Sequence, residues 1–134
     1  MRKVLAAALC LVLLATTGAA LAEKTVTITF VGDCTLGGED WLINREGSFH
    51  DYAREKGYTY FFEKMRDFFA EDDLTVINFE GVLKDDARNA VNKTYCFRGP
   101  TDFARILPLS SIEAANLDNN HTLDYGNQLS LIHI

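Results

Sequence analysis

The chain has 134 residues, 48% of them hydrophobic and 24% charged, an ordinary globular composition that sets aside disordered and collagen-like readings. The formal net charge of -6 argues against nucleic-acid binding, which needs a basic footprint, but leaves a cation site open because carboxylates bind cations. The length allows one domain at most.

Residues 1–22 read as a secretory signal peptide. Arg2 and Lys3 make a positive start, Val4 to Leu14 is almost wholly apolar, and Ala20-Leu21-Ala22 offers a small-x-small cleavage pattern. An uncleaved anchor is the alternative, but a membrane span needs about 20 apolar residues and this run is shorter. The expected location is therefore secreted or in the cell envelope. Cys10 leaves with the signal, so Cys34 and Cys96 remain. Export would permit a disulfide between them, although buried thiols are the expected state.

Thr25 to Val31, T-V-T-I-T-F-V, alternates Thr with apolar residues and predicts a strand ended by Gly32-Asp33. A loop follows through Gly37-Gly38, with Trp41 and Phe49 as anchors. Tyr60 to Ala70 carries Phe61, Phe62, Met65, Phe68 and Phe69 at spacings of three and four, which predicts a helix whose aromatic stripe packs in the core. Leu74 to Phe79 predicts a second strand, ending at Glu80-Gly81. Lys84 to Lys93 reads as a solvated loop, and its glycosylation-type triplet Asn92-Lys93-Thr94 reads as a chance match. Gly99-Pro100 opens a short helix with Phe103, Ile106 and Leu107 on one face. Ser111 to Leu117 predicts a third strand, followed by the polar run Asp118-Asn119-Asn120-His121. Asp124-Tyr125-Gly126 suggests the start of another helix.

Strands alternating with helices imply an α/β domain with a mainly parallel sheet, whose ligands gather beyond the carboxyl ends of the strands. Each predicted strand ends in groups of ligand type. Asp33 can ligate a divalent metal or accept loop hydrogen bonds, and Glu80 stands in the same position on the second strand. The Asn120 amide oxygen and the His121 imidazole follow the third. This donor set suits Mn, Fe, Zn or Mg, and His121 is equally suited to act as a general acid. Alone, each is more often a turn, cap or surface residue; together, at successive strand ends, they mark a site. Leu129 to Ile134, L-S-L-I-H-I, resembles the translation of a transposon-end adapter used in sequencing libraries. On that reading residues 129–134 are non-native, the domain occupies 23–128 in part, and the natural protein continues beyond Gln128.

These residues resemble a known family. Ile28 to Gly37, I-T-F-V-G-D-C-T-L-G, looks like the opening motif of the CapA capsule-synthesis proteins, associated with poly-gamma-glutamate capsules. Asn78-Phe79-Glu80-Gly81 resembles their N-x-E block, and Phe97-Arg98-Gly99-Pro100 the segment before their next helix. Asn116 to Gly126, N-L-D-N-N-H-T-L-D-Y-G, is close to their motif A-N-N-H-x-x-D-Y-G. The resemblance implies an α/β fold, the N-terminal half of a four-layer αββα sandwich of the calcineurin-like metallophosphoesterase type. It implies Asp33, Glu80 and Asn120 as metal ligands and His121 as the catalytic-type histidine. It implies an anionic polymer or the capsule-synthesis machinery as partner. A non-catalytic polymer-binding or export factor and a secreted metallophosphoesterase are the alternatives. Three positions depart from the pattern. Thr35 stands where metallophosphoesterases carry a His, Glu80 replaces their usual Asp, and Asp118 replaces a small residue before the two Asn.

Overall fold

The computed structural model describes residues 24–126. The expected signal peptide (1–22) and adapter-derived tail (129–134) lie outside these residues. Strand β1 (Ile28–Cys34) pairs in parallel with β2 (Leu74–Phe79), and β2 pairs in parallel with β5 (Ala114–Asn116). The order β1-β2-β5 puts β2 in the centre of a three-stranded sheet. A second ladder, also parallel, joins β3 (Val82–Leu83) to β4 (Arg98–Gly99). The α/β class with a parallel sheet is the one expected from the strand–helix alternation. Among the described residues, no helix is long and apolar enough to cross a membrane.

Strand β1 begins three residues later than its Thr-rich pattern suggests and runs on through Asp33, past a register shift between Phe30 and Asp33. Asp33 is therefore a strand residue, not a turn after the strand. The third strand is only three residues long. Its predicted start is interrupted at Ser111, which takes the left-handed conformation (φ 56°) rather than extended backbone.

The first helix, α1 (Phe49–Lys56), fills what reads in the sequence as a loop. Ser48 caps it by accepting from the Asp51 amide at 3.2 Å, Asp51 sits in its first turn, and Arg54 and Lys56 sit in its last. Gly57 (φ 79°) ends it. Trp41, expected as an anchor, is 63% exposed. Phe49 does anchor: it stacks on Phe61 with ring centroids 3.9 Å apart.

The long helix expected over 60–70 is not formed. A 3-10 turn (Tyr58–Tyr60) and a four-residue helix, α2 (Arg66–Phe69), take its place. The aromatic side chains reach separate partners: Phe61 meets Phe49, while Phe62 meets Phe69. Phe69 is buried, but Met65 and Phe68 face solvent, so the stripe is core packing only in part. The helix expected after Gly99-Pro100 is present as a 3-10 turn (Thr101–Arg105) running into α3 (Ile106–Leu109).

The core lies on one face of the sheet. Ile77 and Phe79 of β2 pack there with Leu36, Phe69, Phe103, Ile106, Leu107 and Ile112. On the other face of β1, Ile28 and Phe30 are exposed. Because all three strands run in parallel, their carboxyl ends share one edge, and that edge carries the polar groups described next.

Candidate functional site

The site begins with Asn78, near the end of the central strand, in register with Asp33 of β1 and Asn116 of β5. Its amide nitrogen donates to Asp33 Oδ1 at 2.6 Å. Its amide oxygen accepts from Asn116 Nδ2 at 2.8 Å and Asn119 Nδ2 at 3.3 Å. Asn119 also donates to the Phe79 carbonyl at 2.7 Å, and its side-chain oxygen accepts from the His121 amide at 2.9 Å. One chain of amides thus runs from the Asp33 carboxylate across the sheet to the His121 turn.

Glu80 follows β2, its amide held by the Cys34 carbonyl at 3.1 Å. One carboxylate oxygen accepts from Thr35 Oγ1 at 3.3 Å, and the other faces His121 Nε2 at 3.6 Å. Thr35 therefore contacts the site acid at the position where the resemblance places a histidine. Gly81, with φ 134°, then turns the chain into β3. A Cβ there would lie 3.2 Å from the Phe97 carbonyl oxygen. The β3–β4 pairing brings Phe97 alongside, and its ring stacks on the His121 imidazole with centroids 4.5 Å apart.

His121 is buried, and its Nδ1 lies 2.6 Å from Asp124 Oδ2. Asp124 is 1% exposed. It accepts from Lys93 Nζ at 2.6 Å and from the Phe97 amide at 2.8 Å. Burial alone would raise the Asp124 pKa, but the bonds from Lys93, His121 and Phe97 outweigh it and hold the carboxyl below the usual range. Behind it, Tyr125 donates to Asp40 at 3.0 Å, and Asp40 is also paired with Arg98.

The structure thus joins Asp33, Glu80 and His121 through direct contacts and the amide chain. Asn120 is exposed, and its main-chain carbonyl accepts from Lys93 at 2.8 Å. Among the two asparagines, Asn119 occupies the internal position. Sequence reasoning did not single out Asp124 or Lys93. The three-residue offset from His121 was the available signal for Asp124, since that spacing brings side chains together on a helical turn. Lys93 sits in the Asn92-Lys93-Thr94 triplet of the polar loop and carries no signal of its own.

Among the described residues, no group of three or more His, Cys, Asp and Glu side chains is disposed to hold a metal ion. Asp33 is tied to Asn78 and Glu80 to Thr35. With those contacts made, the described residues do not by themselves assemble a metal centre. Cys34 and Cys96 are free thiols rather than a disulfide. Both are half-buried, and burial together with a neighbouring aspartate raises the pKa of each, which keeps them protonated and poor nucleophiles. The chemistry on offer is proton transfer and hydrogen bonding from an oriented imidazole beside a carboxylate.

The parallel sheet, with acid, amide and imidazole groups past its strand ends, defines an α/β domain. A family model, the bacterial capsule synthesis protein PGA_cap, matches residues 27–129, and the chain belongs to that family. The family is part of the metallophosphatase-like superfamily. No curated protein matches the chain significantly.

Proposed function

We propose that this protein acts outside the cytoplasmic membrane in making an anionic capsule or envelope polymer of the poly-gamma-glutamate type. Its strand-end site handles that polymer by acid–base chemistry at His121. The observation that supports this most is the placement of His121: a buried imidazole with one nitrogen against Asp124 and the other facing Glu80. A histidine held at one nitrogen, with the other left beside a carboxylate, is typical of proton-transfer sites. Export is supported by the apolar N-terminal segment and the Ala20-Leu21-Ala22 pattern. N-terminal sequencing of the secreted protein should begin at Glu23; a start at Met1 sinks the cleavage reading.

A second reading is a non-catalytic polymer-binding or export factor. It is favoured by one observation: the Asp33 carboxylate is taken up by Asn78, and Thr35 stands where a metal-binding histidine would be. Two measurements separate the readings. Hydrolysis of the polymer and of a phosphodiester is assayed with the wild type and with His121→Ala. Metal content is measured in the same preparations. Acid–base catalysis at His121 predicts a loss on the order of 10²-fold or more in the variant. Equal rates, with no turnover above background, leave the binding factor.

A further inference from the structure

We infer that Asp124 is the positioning residue of this site: it holds His121 as the Nδ1–H tautomer and so leaves Nε2 as the reacting nitrogen beside Glu80. The inference rests on the reading that His121 does acid–base chemistry. Asp124 Oδ2 is 2.6 Å from His121 Nδ1. As an ionised carboxylate it can only accept, so the shared proton resides on the imidazole nitrogen. The other Asp124 contacts are all donors: Lys93 Nζ on Oδ1 and the Phe97 amide on Oδ2. These two come from the segment between β3 and β4, and the Val91 amide adds a bond to the Asp124 carbonyl at 2.9 Å. Phe97 closes over the imidazole face.

The arrangement makes Asp124 a hub. It fixes the ring of His121 from one side and fastens the 91–97 segment over it from the other. Lys93 ties the same segment to the turn itself through the Asn120 carbonyl. With Nδ1 committed, Nε2 keeps its lone pair and lies 3.6 Å from Glu80 Oε1. The opposite tautomer would set its N–H toward Glu80 at 3.6 Å, too far for a hydrogen bond, and would place two acceptors face to face at 2.6 Å at Asp124.

The test is long-range proton–nitrogen NMR on the full chain at about pH 8, where a free imidazole is neutral. The chain has three histidines, so the His121 signal is assigned by its loss in His121→Gln. The expected wild-type spectrum shows Nδ1 protonated and Nε2 bare. Asp124→Ala should turn this single state into a mixture of tautomers, and should lower polymer turnover toward the His121→Ala level. A wild-type His121 protonated at Nε2, or an Asp124→Ala variant that keeps the pure Nδ1–H state, overturns the inference. If Asp124→Ala does not fold, the wild-type tautomer still decides. A pure Nδ1–H state together with full turnover in His121→Ala would leave the positioning intact and reject the catalytic reading instead.

Discussion

Asn78 carries more of the site than any of its neighbours. It donates to Asp33 and accepts from Asn116 and Asn119, so one amide aligns three strand ends. Asn78→Leu keeps the volume but leaves those partners unpaired at a half-buried position. Loss of such bonds costs about 1–3 kcal/mol, to be read as a lower midpoint in urea unfolding. An unchanged midpoint would show that water replaces the amide fully. His50 is the opposite case. It is buried against Phe103, and neither ring nitrogen meets a partner among the described residues. Burial, then Arg98 and Arg54, lower its pKa. The neutral form is thus favoured in the fold, while the unfolded chain takes up a proton below the ordinary histidine value. Stability is unaffected above that value and falls as pH drops beneath it. His50→Phe should therefore be less sensitive than the wild type to acid between about pH 6.5 and 5 in thermal melts. Parallel loss of stability in both proteins would show that His50 is not the group responsible.

At the scale of elements, the turn after β2 decides whether Phe97 reaches His121. Gly81 has a φ of 134°, and an added Cβ would press on the Phe97 carbonyl. Gly81→Ala should cost about 1–3 kcal/mol of backbone strain, and tryptic cleavage in the 84–97 segment should speed up as that segment loosens. Unchanged cleavage would mean that the segment is held by Asp124 alone. Elements with a strong local pattern were legible in the sequence. Leu74 to Phe79 is a strand at the residues its apolar run marks, and Pro100 does open a helical turn. The helix α1 was not legible from its sparse apolar residues, although Ser48 followed three residues later by Asp51 was a readable start signal. The supposed helix over 60–70 failed because aromatic spacing reports burial potential and not which partner each ring will find. In the site, the strand-end acids and His121 were visible as residue types. Asp124 offered only its three-residue offset from His121, and Lys93 offered nothing, since its importance comes from a loop folding back across the turn, which no local spacing encodes.

For the whole molecule, the two faces of the sheet differ in what they contribute to stability. Ile77 is 1% exposed within the core, whereas Phe30 is 76% exposed on the opposite face. Ile77→Ala should cost about 2–5 kcal/mol, the usual range for a buried large-to-small change. Phe30→Thr should stay within about 0.5 kcal/mol, as surface changes do. Denaturant unfolding of both variants checks this; a large cost at Phe30 would mean that this face is covered in solution. The proposed function requires that this capsule-family domain work through the imidazole at its strand ends. The most direct measurement is surface polymer in a host whose own capsule gene of this family is deleted, complemented with the wild type or with His121→Ala at equal protein abundance. Polymer is expected with the wild type and its loss with the variant. Undiminished polymer from His121→Ala would contradict the proposed function.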